Sequence, residues 1–480
     1  MTLSYTWGPP GSVLKTTDES EDDHREGIAF YTLPETLRDV IDVARSIDVD
    51  YIWIDSLCII QQKKEDHPET DFDREGPHME EIYSNSMLTI AASVGEGTHV
   101  PCFQPRTPDL LTPAKFSAPK IQSRRYGSGH FYIIDQQFWE SAVSGAPLNQ
   151  RGWVLQERLL SPRTVHLCRE QIFWECCELA ACEALPSGLP KKIMERRGGL
   201  DLIPQNGFKG FISQSALMQN PNGPQPINLA FERWYQIVET FSMCNFWNPA
   251  DQIVAISGVA KRLNTIIKGD FIAGIWMERF IEGLAWEIHS GPEVTTRGKK
   301  PTCDKKECYC GPSWSWVSVD GHIKYDFSHS QISWQPCATF KNCHVEPEGQ
   351  PAKDRKARQF QKPQKEGTVL SLTGPLYPID IDWSDGTPRA CVGGDWYIWE
   401  ELFLDTTTIK DHINDDLMVA PILVGSPRAR NGNNHMKALV LRGNKDSYER
   451  IGLLHAWKHT TVAKAARLLR GQNRTQYNIV

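Results

Sequence analysis

Apolar and polar positions in the first third of the chain switch between two periods. Leu3-Ser4-Tyr5-Thr6-Trp7 alternates every second residue, as a short strand does. Behind Pro34, a residue suited to a helix's first turn, Leu37, Val40, Ile41, Ala44 and Ile47 recur at helical spacing. Tyr51-Ile52-Trp53-Ile54 is a continuous apolar run that reads as a buried strand ending in Asp55-Ser56-Leu57-Cys58. Met79, Ile82 and Tyr83 mark another helix, and Met87 to Ala92 a third strand with Ser93 at its end. Strand–helix–strand–helix–strand order predicts an α/β fold, with a parallel sheet covered by helices on both faces. Ligands bind such sheets at the carboxyl ends of the strands. Those ends are Thr6-Trp7-Gly8, Asp55 to Cys58, and Ser93.

Further along, Arg151 to Pro162 reads as a helix stopped by the proline, followed by a hairpin of Thr164 to Leu167 and Ile172 to Glu175. The acidic segment 8–27 reads as a solvated, mobile loop, and 94–147 as a looser stretch. The pattern divides the chain into a first domain over 1–184, a Pro/Gly-rich linker over 185–226, and a helical segment with a Trp-rich strand over 227–345. A charged linker over 346–367 and a β-rich region over 368–480 complete it. In the helical segment, Phe231, Trp234, Ile237, Val238 and Phe241 form one apolar stripe, and Ile253, Val254, Ile256 and Val259 another. Ser313 to Val319, with Trp314 and Trp316, reads as a packed strand.

Composition narrows the partners. Hydrophobic residues at 40% and charged residues at 23% are ordinary for a folded globular chain, which excludes wholesale disorder. A net charge of −7 provides no basic field for a phosphate backbone, so nucleic acid is not an expected partner. No apolar run approaches the ~20 residues needed to span a bilayer. Met1 to Pro10 lacks the basic and apolar regions of a signal peptide. The 13 cysteines are odd in number and scattered, which fits reduced thiols in a cytoplasmic protein better than a disulfide framework. Cys303, Cys308 and Cys310 lack the paired half of a zinc ribbon, so no metal is expected.

Five blocks in order resemble the heterokaryon-incompatibility (HET) domain of fungi: Leu3 to Gly8 (LSYTWG), Leu33 to Asp39 (LPETLRD), Tyr51 to Gln61 (YIWIDSLCIIQ), Met79 to Ala92, and Arg151 to Arg163 (RGWVLQERLLSPR). Gly311-Pro312-Ser313-Trp314-Ser315-Trp316 and Tyr448-Glu449-Arg450-Ile451-Gly452 resemble the tail of large HET proteins. The family usually has residues ahead of the LSYTWG strand; here the expectation is a short first strand or a start farther upstream. The resemblance implies a role in self/non-self recognition and programmed cell death. HET domains are distantly similar to TIR domains, some of which cleave NAD. That similarity implies a TIR-like or flavodoxin-like, mainly parallel sheet and a Trp-x-x-x-Glu pair, which Trp153 and Glu157 match.

The candidate chemistry follows from these positions. Residues four apart share a helix face, so Trp153 could floor a pocket into which Glu157 points as the catalytic carboxylate. A carboxylate can stabilise the oxocarbenium-like state that forms as nicotinamide leaves ribose. Glu157 could equally pair with Arg151, Arg158 or Arg163 on a helix surface. Ser4, Tyr5, Trp7, Gly8, Asp55, Ser56, Cys58, Arg151 and Trp153 are candidate substrate-binding residues. Gly8 would let backbone approach a ligand and Trp7 could stack on a ring; Trp7 could instead plug the strand end. Asp55 could bind ribose hydroxyls or form a local turn, and Cys58 reads more readily as a buried small hydrophobe than as a nucleophile. NAD is then a substrate, and no bound cofactor is expected. The other readings are an oligomerising, non-enzymatic interaction module that docks on a protein partner or on itself, and a HET scaffold recruited for biosynthetic or hydrolytic chemistry on a small molecule.

Overall fold

In the computed structural model the chain divides into two compact units, Met1–Gly223 and Pro224–Val480. The structure describes residues 1–9, 11–61, 70–107, 111, 113–118, 129–135, 137–190 and 208–212 of the first unit. In the second it describes 226–289, 302–303, 306–307, 309–326, 332–344, 368–382, 389–392, 395–397, 401–405, 416–427, 435–444, 447–456 and 474–480.

The first unit is built on a five-stranded sheet in the order β1 (Thr2–Ser4), β2 (Thr89–Ala92), β5 (Arg163–Leu167), β6 (Ile172–Cys176), β7 (Ala180–Cys182). β1, β2 and β5 run parallel, whereas β5–β6 and β6–β7 are antiparallel. The α/β class holds, but the sheet is mixed rather than mainly parallel, because the predicted hairpin 164–175 joins the same sheet. The run 51–54 is a further departure. It forms one parallel bridge, Trp53 to Thr2, instead of a strand, and Tyr51 is 85% exposed. Between β2 and β5 the looser stretch contributes a hairpin of β3 (Ala114–Ala118) and β4 (Gly129–Ile133).

The two faces of this sheet differ. One carries Leu3, Ile90 and Leu167 against α2 (Glu35–Ser46), whose Leu37, Val40 and Ala44 are buried at helical spacing. On the other face the register aligns Thr2, Thr89, Thr164 and Glu175 in one row, and Ser4, Ala91, His166 and Phe173 in the next. α6 (Gly152–Leu160) lies over this polar face, with Ala91 packed against Val154 and Leu148. The acidic segment is partly ordered, with Glu21–Glu26 forming α1 and Thr16 buried.

The second unit carries two long helices, Pro226–Phe241 and Gln252–Ile267, which bear the two predicted apolar stripes. Beyond Ile267 the described chain to residue 289 consists of two-residue strands, turns and the short helical turns Met277–Arg279 and Phe280–Gly283. An eleven-stranded, almost wholly antiparallel sheet follows, including Val369–Pro375, Leu417–Pro427, His435–Asn444 and Ser447–Ala456. The Trp314-Ser315-Trp316 segment is a turn capped by Ser315, not a strand; both indoles are buried. The predicted linker 346–367, most of 185–226, and the side chains of Cys303 and Cys308 lie outside the described residues.

The two tail blocks meet in this unit. The Arg450 backbone N–H donates to Ser313 Oγ at 3.0 Å. The Arg450 guanidinium lies 3.3 Å over the Trp286 ring, donates to Asp405 at 2.9 Å, and caps the carbonyls of Leu284 and Trp286 at 2.6 Å each. Arg450 and Asp405 are both buried, so removing one charge strands the other in a dry interior. Arg450→Ala should therefore lower the unfolding free energy of this unit by ~3–5 kcal/mol in urea. Arg450→Ala/Asp405→Ala should lose less than the single variant; equal losses would refute pairing as the source.

Candidate active site

The site forms where β1 ends. Tyr5 follows the strand and is buried; its hydroxyl donates to Ser56 Oγ at 2.7 Å, and Ser56 Oγ donates onward to the Leu14 carbonyl at 2.8 Å. Asp55 begins α3 (Asp55–Cys58). Its Oδ1 accepts the Ser56 N–H at 2.7 Å and its Oδ2 accepts the Trp7 indole N–H at 3.0 Å. Trp7 thus holds the aspartate by its indole edge. Gly8 has φ +84, and a Cβ there would stand 2.7 Å from Ser12 Oγ and 3.1 Å from Gly97 Cα. The close backbone approach at Gly8 is to the chain's own Gly97.

The other half comes from α6 and the residue before it. Arg151, at the N-cap of α6, donates from Nη1 to the Tyr5 carbonyl. Glu157, two turns along, is 5% exposed. It lies beside the hydroxyls of Ser4 and Tyr83, with Arg151 and Asp55 within electrostatic reach. The Tyr83 hydroxyl, on α5 (Met79–Ser84), donates to the Leu3 carbonyl at 3.0 Å.

Desolvation raises the Glu157 carboxyl from 4.5 to about 7; Ser4, Arg151 and Tyr83 oppose the rise and the negative Asp55 adds to it. Asp55 is raised too, by burial first, against Arg151, the Ser56 N–H, Trp7 and Tyr5. Burial and the neighbouring carboxylates push both tyrosines well above their ordinary value, so they remain hydrogen-bond donors. The arrangement is a buried carboxylate, Glu157, and a half-buried one, Asp55, sharing one arginine, with Glu157 half-ionised near neutral pH. Such a group can carry charge or hold a proton at physiological pH.

The structure thus brings Ser4, Tyr5, Trp7, Asp55, Ser56, Arg151 and Glu157 together. Trp153 meets Phe72 edge-on at 5.4 Å, packing α6 against α4 (Asp71–Glu75). Cys58 is exposed on the last residue of α3, which corrects its reading as a buried packing residue. Glu157 does not form a surface ion pair; Arg158 points elsewhere, to Glu175. Sequence reasoning missed the role of Tyr83. Its helical spacing with Met79 marked it as core, and nothing local signals where its hydroxyl ends. A separate cleft of about 500 Å³ opens at the carboxyl ends of β2 and β5, lined by Ser93, Val94, Phe138, Cys168 and Phe173 among others; Glu157 is not in its wall. Among the described residues, no group of three or more His, Cys, Asp or Glu side chains could hold a metal ion, and no helix is long and apolar enough to cross a membrane.

A mixed α/β domain with a carboxylate pair, one buried and one half-buried, at the end of its first parallel strand is the class that fold and site define. Residues 1–157 match the family model described as heterokaryon incompatibility protein (HET), and every residue of the site falls within that match. The N-terminal part of the chain is a HET domain. No curated protein and no solved structure matches the chain.

The raised carboxyl of Glu157 has a stability consequence. The folded state holds this proton more tightly than the unfolded chain does. Its contribution is therefore fully present below about 4.5 and is lost as pH rises through about 7. Glu157→Gln removes that dependence. At pH 8 the variant should be more stable than the parent by up to ~3 kcal/mol, at ~1.4 kcal/mol per pKa unit, and by about pH 4 the two should converge. Parallel stability–pH curves for the two proteins would contradict a buried, perturbed Glu157.

Proposed function

We propose that this HET domain acts in fungal self/non-self recognition and cell death by hydrolysing the nicotinamide–ribose bond of NAD. The observation that carries the reading is Glu157: a buried carboxylate that ionises near neutral pH, beside the Ser4 and Tyr83 hydroxyls at the end of a parallel strand.

The chemistry requires little more. As the C1′–N bond breaks, its electron pair leaves with nicotinamide, and positive charge develops on C1′ and the ring oxygen of the ribose. An ionised Glu157 stabilises that charge, more strongly in a dry site than in water. Water adds to C1′, and its surplus proton passes through Glu157 to solvent, giving ADP-ribose, nicotinamide and a proton. Arg151 is the cation available to the pyrophosphate, Trp7 the half-buried aromatic available to a ring, and Tyr5 and Asp55 order the wall between them. NAD is the substrate, and no bound cofactor enters the reaction.

The test is NAD consumption by the purified chain at high protein concentration, with nicotinamide release as readout. Turnover should rise with pH through about 7 as Glu157 ionises. Glu157→Gln should reduce kcat by about 10²–10³-fold, the usual scale for losing one preorganised charge stabiliser, while remaining folded. Turnover that survives in Glu157→Gln would overturn the assignment.

One observation favours a second reading, that of an interaction module. Between helices Pro226–Phe241 and Gln252–Ile267, Trp247 is 92% and Met243 56% exposed. They stand four residues apart in one connection, and a contiguous exposed apolar patch marks a contact surface. If self-association is the activity, Trp247→Ser should abolish concentration-dependent mass in light scattering, and Glu157→Gln should leave it unchanged. A parent chain that stays monomeric at every concentration would remove this reading.

A further inference from the structure

Next to Glu157 on α6, Arg158 enters a second buried cluster that the proposed reaction does not use. Its Nε donates to Glu175 Oε2 at 2.8 Å. The same oxygen lies 3.2 Å from His166 Nε2. Lys209, from α7 (Phe208–Ile212), stands 3.6 Å from Glu175 Oε1 and donates to Thr164 Oγ1 at 2.9 Å. Trp139 covers the imidazole edge-on. All four charged or titratable groups are buried, with Glu175 and His166 wholly so. Burial and the two cations keep His166 neutral, down to about 4, while Arg158, Lys209 and His166 hold Glu175 ionised despite its burial. The cluster therefore holds two cations against one anion. That is a costly way to stabilise a core, since apolar side chains of similar volume usually serve as well.

Its place in the sheet suggests what it does. Ser4, Ala91 and His166 stand side by side across β1, β2 and β5. Ala91, the small residue of that row, packs on Val154 beneath α6. Glu157 goes to the β1 side, beside Ser4 and Tyr83, and Arg158 goes to the β5–β6 side. Consecutive residues on a helix point ~100° apart, so the helix straddles Ala91 with one charged side chain on each flank. Rotation of α6 by ~20° would carry a carboxylate ~6 Å from the axis by about 2 Å, a displacement of the size that spoils a reacting geometry.

We infer that Arg158, clamped by Glu175, His166 and Lys209, is a positioning residue: it fixes the rotation of α6 about its axis and so holds Glu157 against Ser4 and Tyr83. Arg158 acts through the helix and not through its charge, because the groups that shift Glu157 are Ser4, Arg151, Asp55 and Tyr83. At the far end of the helix Ser161 adds a weaker clamp, bonded to Thr89 Oγ1 at 2.6 Å. The functional consequence of the inference rests on the NAD reading, but the placement of Glu157 does not.

Arg158→Met is the variant of choice, because Glu175 keeps Lys209 as its counter-charge and the surplus cation is gone. In the full-length chain, the Glu157 carboxyl is titrated by 13C NMR on 13C-glutamate-labelled protein, the resonance being assigned by its absence in Glu157→Gln. A freed helix admits water, so the Glu157 midpoint should fall by at least about one unit from about 7. On NAD, kcat should drop at least about 10-fold with KM changed less than about 3-fold. Arg158→Lys, which keeps a cation at the same place, should restore most of both quantities; if Arg158→Met does not fold, Arg158→Gln takes its place, with the same fall in the Glu157 midpoint expected. A folded Arg158→Met whose Glu157 titrates as in the parent overturns the inference, as does an Arg158→Lys no better than Arg158→Met. If the parent chain does not consume NAD, the enzymatic reading fails alone, and the titration still decides whether Arg158 positions Glu157.

Discussion

Burial of α6 on almost every side is the constraint from which the rest of the HET domain follows. From Val154 to Leu160 the helix has no exposed residue, yet three consecutive members, Gln156, Glu157 and Arg158, are polar or charged. A helix this enclosed cannot send them to water, and an unpaired charge in such a place costs several kcal/mol. The sheet beneath answers with a polar face, Thr2, Ser4, Thr89, Thr164, His166 and Glu175, while its opposite face stays apolar against α2. The alternation of the strands is thus used twice, once to build a core and once to receive a charged helix.

That shared face gives two glutamates of the same chemistry opposite fates. Glu175 and Glu157 are both desolvated, which by itself raises a carboxyl. Glu175 meets two cations and an imidazole at 2.8 to 3.6 Å, and the Coulomb attraction outweighs desolvation. Glu157 meets neutral hydroxyls and a half-buried arginine whose field also serves Asp55, and desolvation wins. Environments that push two like groups apart assign their roles. Glu175 is locked as an anion at any working pH, whereas Glu157 exchanges its proton near neutrality.

What was legible in the sequence was what short-range periodicity encodes. α2, α6, the β5–β6 hairpin and the long strands of the second unit stand close to where the pattern placed them, because each buries a stripe or a face set by spacing alone. The run 51–54 has the composition of a buried strand, but it finds one bridge to Thr2, and its first residue faces solvent. Trp314-Ser315-Trp316 alternates like a strand and is a turn, because Ser315 bonds the Ala273 carbonyl and Trp316 Nε1 the Gly274 carbonyl at 2.9 Å. Both partners lie some forty residues away. The same holds for the site. The strand-end rule brought Trp7 and Asp55 together, but Tyr83 and Lys209 reach their partners across 80 and 45 residues, where no local pattern reports them. Lys209 even sits in a stretch that reads as linker.

The solvent boundary of the site bears on which substrate it suits. α6 is open only at its start: Arg151 and Trp153 are half-buried, and everything from Val154 onward is closed. On this helix, Arg151 and Trp153 are then the residues within reach of a ligand. An anionic group that engages that guanidinium withdraws part of its field from Glu157 and Asp55, and both carboxyls then rise further, towards their neutral forms. A purely anionic ligand would thus switch off the carboxylate it needs. A dinucleotide with a cationic nicotinamide ring does not have this difficulty, because the ring's positive charge returns to Glu157 the field that the pyrophosphate takes from it. As the glycosidic bond breaks, that charge moves from the ring to the ribose, and nicotinamide departs neutral. In the proposed reaction the attraction to the carboxylate would then be strongest at the transition state rather than in the bound substrate, which is the condition for catalysis.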